Sequence, residues 1–146
     1  MVLNLLSLAM APHKSAIFIG RNHPDTGLSE YKALAKRFNL RLDIHTHTPN
    51  ASLLLPKYDY AFVSRYLTII EALSAGIPVI AHYNNQIKFD YLNDSPFAKF
   101  IKIFDNPQDY QLNLIFDFKL IKSGRNWVRT QTWSKLASLY EELWKN

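Results

Sequence analysis

Residues 64–83 read SRYLTIIEALSAGIPVIAHY. A helix of roughly ten residues, from about Leu67 to Ala75, fits the apolar spacing; Gly76 stands where a C-terminal stop belongs and Pro78 lies just beyond it. Residues 78–83 (PVIAHY) then form a short β-rich run, and residues 59–64 (DYAFVS) on the other side read as another strand. Strand, helix and strand joined by short connections make a parallel unit. One acidic residue, Glu71, sits among the apolar residues of that helix, and its presence there calls for an explanation.

The flanking sequence repeats the pattern. Residues 15–19 (SAIFI) are a continuous apolar run ending at Gly20, as in a strand buried on both faces. A breaker-rich stretch, GRNHPDTG (20–27), follows, and then Leu28, Tyr31, Leu34, Ala35 and Phe38 recur at helical spacing. Residues 41–46 (RLDIHT) alternate like a strand, Ile87 to Leu92 fit a short helix, and residues 100–104 (FIKIF) fit a fifth strand. Asp105-Asn106-Pro107 resembles the opening of a further helix. Trp133, Leu136, Ala137, Tyr140, Leu143 and Trp144 form an apolar stripe on a terminal helix, and its two tryptophans predict substantial burial. The expectation is a single α/β Rossmann-like domain, three layers around a mainly parallel sheet, spanning 15–146 after an N-terminal extension of residues 1–14.

With 48% apolar and 14% aromatic residues in 146, the chain can build a real core. Seventeen Lys and Arg against 12 Asp and Glu leave a net charge of +5, which suits an anionic partner: nucleic acid, a membrane surface or a phosphorylated small molecule. The absence of cysteine rules out disulfides and thiolate chemistry and fits a reducing, cytoplasmic setting. Val2 to Met10 is mostly apolar with a small-residue Ala9-Met10-Ala11 after it, but no Lys or Arg precedes the run, so it does not read as a signal peptide. No stretch of about 18 apolar residues predicts a membrane-spanning helix.

Ligands of open parallel sheets bind beyond the carboxyl ends of the strands, where helix N-termini present free amides. Two loops qualify. Gly20 allows close approach to the backbone, Arg21 offers a forked donor suited to phosphate, and Thr26 and Gly27 precede a helix. Ser64, Arg65, Tyr66 and Leu67 lead into the second helix, where Thr68 and Glu71 share a face, placing a carboxylate within reach of a sugar diol. By pattern alone, a lone glutamate in such a helix is more often a solvated carboxylate or a dipole partner, and Arg21 and Arg65 are more often surface charges. His45 and His47 alternate on a strand end without a carboxylate cluster, so no metal is expected. Lys119, Lys122, Arg125 and Arg129 near Trp127 read as a solvated helix face rather than a nucleic-acid site.

The segment IIEALSAGIPVIA (69–81) resembles the Leu-Glu-Ala-x-x-x-Gly-x-Pro-Val-[Ile/Val]-Ala signature of nucleotide-sugar glycosyltransferases built from two Rossmann-like domains, in their C-terminal, donor-binding half. AIFIGR (16–21) is similar to that family's strand ending in Gly-Arg, and LDIHTHTP (42–49) occupies the place of another strand and turn. The resemblance implies that Glu71 binds ribose hydroxyls, that the 64–67 loop and Arg21 contact the diphosphate, and that no cofactor beyond the nucleoside-diphosphate sugar is needed. It further implies transfer to a carbohydrate or lipid-linked acceptor with a separate acceptor-domain chain. The alternative is a non-catalytic interaction module on the same fold. Self-association and peripheral membrane association complete the expected partners. The chain departs from the family at Val63, where an acid belongs, at Thr26-Gly27 in place of Lys-Gly, and at Thr46-His47-Thr48 in place of Gly-x-Gly. It is also shorter by about one strand-helix unit between Pro49 and Asp59. No catalytic residue is therefore assigned.

Overall fold

The computed structural model of the protein describes residues 14–145, so the expectations for the N-terminal extension lie outside the described residues. Five strands, β1 (Ser15–Ile19), β2 (Arg41–His45), β3 (Tyr60–Phe62), β4 (Val79–His82) and β5 (Lys102–Phe104), form one sheet in the order β2-β1-β3-β4-β5. Every pairing is parallel. The helices are α1 (Leu28–Arg37), α2 (Tyr66–Ala75), α3 (Gln86–Asn93), α4 (Phe118–Arg129) and α5 (Trp133–Lys145). This is the three-layer Rossmann-like α/β domain that the alternation of patterns predicts.

The chain leaves β1 toward β2 on one side and returns to place β3 on the other. Right-handed crossovers in opposite directions put α1 and α2 on opposite faces of the sheet. The strands carry the matching alternation. Ala16, Phe18, Tyr60, Phe62 and Ile80 join Tyr31 and Leu34 in the core on the α1 side. Ile17, Ala61, Val63, Val79 and Ala81 pack with Ile69, Leu73 and Leu92 on the other. Strands apolar on both sides are what a doubly covered parallel sheet demands. The edge strands β2 and β5 are less buried and carry Arg41, Asp43 and Lys102, charges that blunt an exposed edge.

Gly76 ends α2 in the left-handed conformation at φ 73°, as its position after Ala75 predicts. Between β2 and β3 the chain forms a 3-10 segment, Ala51–Lys57, that buries Leu55 completely. Two expectations are corrected. Asp105-Asn106-Pro107 does not open a helix: the chain runs through turns, with Asn106 Oδ1 accepting from the Gln108 amide at 2.9 Å, and the next helix begins at Phe118 after its N-cap Asp117. Asparagine and proline serve turns as readily as helix starts. The tryptophans of α5 are not buried either, since Trp133 is 87% and Trp144 88% exposed.

At the centre of the α1 side, Tyr31 is fully buried, stacked on Phe62 with ring centroids 5.1 Å apart. Its hydroxyl donates to the Ile80 carbonyl at 3.2 Å and accepts from the His82 amide at 2.8 Å. Burial drives the phenol well above its ordinary pKa, so it stays protonated and able to donate. Tyr31→Phe keeps the ring but removes the partner of the His82 amide and one of two donors to the Ile80 carbonyl, which still accepts from the Val63 amide at 3.3 Å, so unfolding free energy should fall by about 1–3 kcal/mol. Urea titration checks this; a midpoint unchanged from wild type contradicts it.

Candidate functional site

Three loops meet beyond the carboxyl ends of β1, β3 and β4, around the point where the strand order reverses, which is where open α/β sheets bind ligands. The first is Gly20 to Gly27. A Cβ on Gly20 would stand 2.8 Å from the Phe18 ring, so the loop leaves β1 close over its own strand. The loop ends in a 3-10 turn, Pro24–Thr26, closed by the Thr26 hydroxyl donating to the His23 carbonyl at 2.8 Å. Gly27 then adopts φ 73°, and a Cβ there would lie 2.3 Å from Nδ1 of His82. Only glycine satisfies both the left-handed backbone and that approach.

The second loop runs from Ser64 into α2. Arg65 is the N-cap residue and supplies no side-chain cap, and the Tyr66 amide of the first turn is met by the Tyr91 hydroxyl from α3. The third leaves β4 through Tyr83, Asn84 and Asn85. Asn85 caps α3, its Oδ1 accepting from the Lys88 amide at 2.8 Å, and Lys88 projects from the first turn.

Arg21, Asp25, Thr26, Ser64, Arg65, Asn84, Asn85 and Lys88 enclose a cavity of about 190 Å³. Larger open clefts adjoin it. One of about 430 Å³, lined by Glu30, His82, Asp105 and Asn106 among others, shares Asn84 and Asn85; another of about 440 Å³, bordered by Ile87 and Tyr91, shares Ser64, Arg65, Asn85 and Lys88. Three cations therefore reach the small cavity from three different strand-loop-helix units. Arg21 Nη2 pairs with Asp25 Oδ2 at 3.2 Å, and Lys88 Nζ donates to the Asp25 carbonyl at 3.2 Å. Partial burial pulls the Lys88 pKa below its ordinary value, with neighbouring Arg65 acting in the same direction. The Asp25 carboxyl is held below its ordinary value chiefly by its hydrogen bond to His23. The cavity thus concentrates positive charge around one carboxylate at its rim.

Of the residues singled out in the sequence, Arg21, Thr26, Ser64 and Arg65 line the cavity, and Gly20 and Gly27 shape the loop beside it. Tyr66 and Leu67 open instead onto a groove with α5. Thr68 and Glu71 are half-buried on α2 and do not line the cavity, and Glu71 makes no hydrogen bond or ion pair among the described residues. Lys88, Asn84, Asn85 and Asp25 were not singled out. The first three follow a strand's carboxyl end and lead into a helix, the same signal that marked the other two loops. His45 bonds Thr48 Oγ1 at 2.9 Å, and among the described residues no cluster of metal-ligating side chains forms.

His82 supports this arrangement from below. It is 2% exposed, its Nε2 lies 3.1 Å from the Asp105 carbonyl, and its Nδ1 is buried against Gly27 without a partner. A donating Nε2–H leaves Nδ1 as an unprotonated acceptor, the form that burial favours. Desolvation lowers the pKa, against the opposing pull of Glu30 and Asp105, while Lys88 adds to the lowering. Below about pH 6.5 the unfolded chain takes up the proton that the folded chain resists, so this contribution to stability is complete above that pH and shrinks as pH falls toward the lowered folded value. Melting temperature should drop on acidification through this window, and His82→Gln should flatten the dependence. An unchanged slope in the variant contradicts the assignment.

No family model matches the chain, and no curated protein matches it.

Proposed function

We propose that the protein is the donor-binding half of a glycosyltransferase. It would hold a nucleoside-diphosphate sugar by its diphosphate, for transfer to a carbohydrate or lipid-linked acceptor carried by a separate acceptor-domain chain. The observation that supports this most is the convergence of Arg21, Arg65 and Lys88 on one cavity at the strand ends. A diphosphate needs several cations and free amides at close quarters, and helix starts with fixed guanidinium groups supply them without a metal. In the family that the sequence resembles, a lysine stands where this chain has Thr26. Lys88 brings an equivalent charge to the same loop from α3, through its bond to the Asp25 carbonyl. The cavity itself has room for phosphate groups, and the adjoining clefts have room for the nucleoside and sugar.

A second reading, a non-catalytic interaction module, is favoured by Val63. This residue stands where the family carries an acid, is 1% exposed and belongs to the core. The absence of Glu71 from the cavity lining points the same way.

Calorimetric titration with uridine and guanosine diphosphates tests the binding reading. Saturable heat is expected with at least one of them, and Lys88→Ala should weaken it about tenfold or more, the usual effect of removing a charge-assisted contact. Asp25→Asn should tighten binding, because it releases Arg21 and removes the competing negative charge. No heat with either nucleotide at about millimolar concentration would overturn donor binding and leave the module.

A further inference from the structure

The apolar stripe of α5 has no cover among the described residues. Trp133, Leu136, Leu139, Tyr140, Leu143 and Trp144 occupy one side, roughly 140° of arc at helical spacing, and the polar residues from Ser134 to Lys145 occupy the opposite side. No residue of α5 is buried, and exposure reaches 70% at Leu143 and 87% and 88% at the two tryptophans. The surface continues onto α2. Tyr66, Leu67 and Ile70 face Trp133, Leu136 and Leu139 across an apolar groove of about 320 Å³. Contiguous apolar surface of this kind marks a place where something docks.

Charge identifies the occupant. The preceding helix, α4, turns Gly124 inward against Phe100 and Leu73. Lys119, Lys122 and Arg129 fall on its outer side, all exposed and none in an ion pair among the described residues, while the Arg125 side chain lies against Gly76 at the end of α2. Only Thr130, Gln131 and Thr132 separate this cationic helix from α5. A second copy docked through α5 would gather like charges into one assembly of a chain that already carries +5. An anionic lipid surface satisfies both features at once: headgroups neutralise the lysines and arginines, and the boundary below them accepts indole, phenol and leucine side chains. The helix has 13 residues, and no described helix is long and apolar enough to cross a membrane, so α5 would lie in the plane of the surface.

We propose that α5, flanked by the cationic outer side of α4, docks the protein on an anionic membrane surface. Tyr66 directly follows Arg65, so the docked face runs up to the mouth of the cation-lined cavity. The proposal stands independently of what that cavity binds.

Co-sedimentation of the full chain with vesicles tests it, using phosphatidylcholine alone and phosphatidylcholine with roughly one-third phosphatidylglycerol. Binding is expected to the anionic vesicles only, with release as salt rises to about 0.5 M and with quenching of tryptophan emission by brominated lipid. The double variant Trp133→Ser/Trp144→Ser should weaken binding by at least about tenfold. Lys119→Gln/Lys122→Gln/Arg129→Gln should cost roughly fivefold per cation. Neither set touches the core, so both variants should melt as wild type does. No binding to anionic vesicles, or equal binding by wild type and both variants, overturns the proposal. Light scattering that finds a dimer dissolved by the tryptophan substitutions, in a protein that ignores vesicles, overturns it in favour of self-association.

Discussion

The hydroxyl of Tyr31 joins α1 to β4, and the shape of the cavity depends on that joint. It bonds the Ile80 carbonyl and the His82 amide, so α1 cannot slide along the sheet without breaking both bonds and stranding the buried His82 amide. Because α1 begins at Gly27, the same bonds set the Gly20–Gly27 loop directly over the end of β4, with Gly27 against the His82 ring. That closeness lets a loop from β1 meet a helix from β4. Lys88 reaches the Asp25 carbonyl across an interval of 63 residues in sequence. Aromatic packing backs the joint, since Tyr31 also lies within 6.0 Å, centroid to centroid, of Phe18, His82 and Phe104.

The electrostatics at the rim follow from this placement. Cations brought together in a partly desolvated space repel one another unless an anion sits among them. In this structure the anion is Asp25. Its pair with Arg21 is more than half exposed on both sides, 58% and 52%, and such a pair contributes little to stability. It is therefore easily exchanged for a better acceptor. A phosphate group offers more oxygens and more charge than one carboxylate, so a phosphorylated ligand could displace Asp25 at small cost.

Much of the architecture was legible because burial on both faces leaves a plain mark: runs such as AIFI (16–19) and VIA (79–81) are apolar at every register, and helices between them carry one apolar face. The reading failed where one signal serves two structures. Asp105-Asn106-Pro107 fits a helix start and a turn alike, and the turn prevailed. The stripe on α5 shows that a face seeks cover, but periodicity cannot say whether the cover lies in the same chain. At the site, Arg21, Thr26, Ser64 and Arg65 could be picked out because each follows a strand end. Lys88 obeys the same rule one unit later, yet its side chain reaches the cavity only through the fit of Gly27 on His82, a contact between distant segments that no local pattern records. Glu71 illustrates the converse, since a residue prominent in a signature takes its role from the direction its helix face turns.

The central claim is that three loops from three strands form one anion site. Backbone amide resonances recorded while a nucleoside diphosphate is added would test it most directly. The account predicts saturable shifts confined to three separated stretches, Arg21 to Gly27, Ser64 to Leu67 and Asn84 to Lys88, all titrating with a single affinity. Shifts restricted to one stretch, three different affinities, or changes centred on α5 with these loops silent would contradict it.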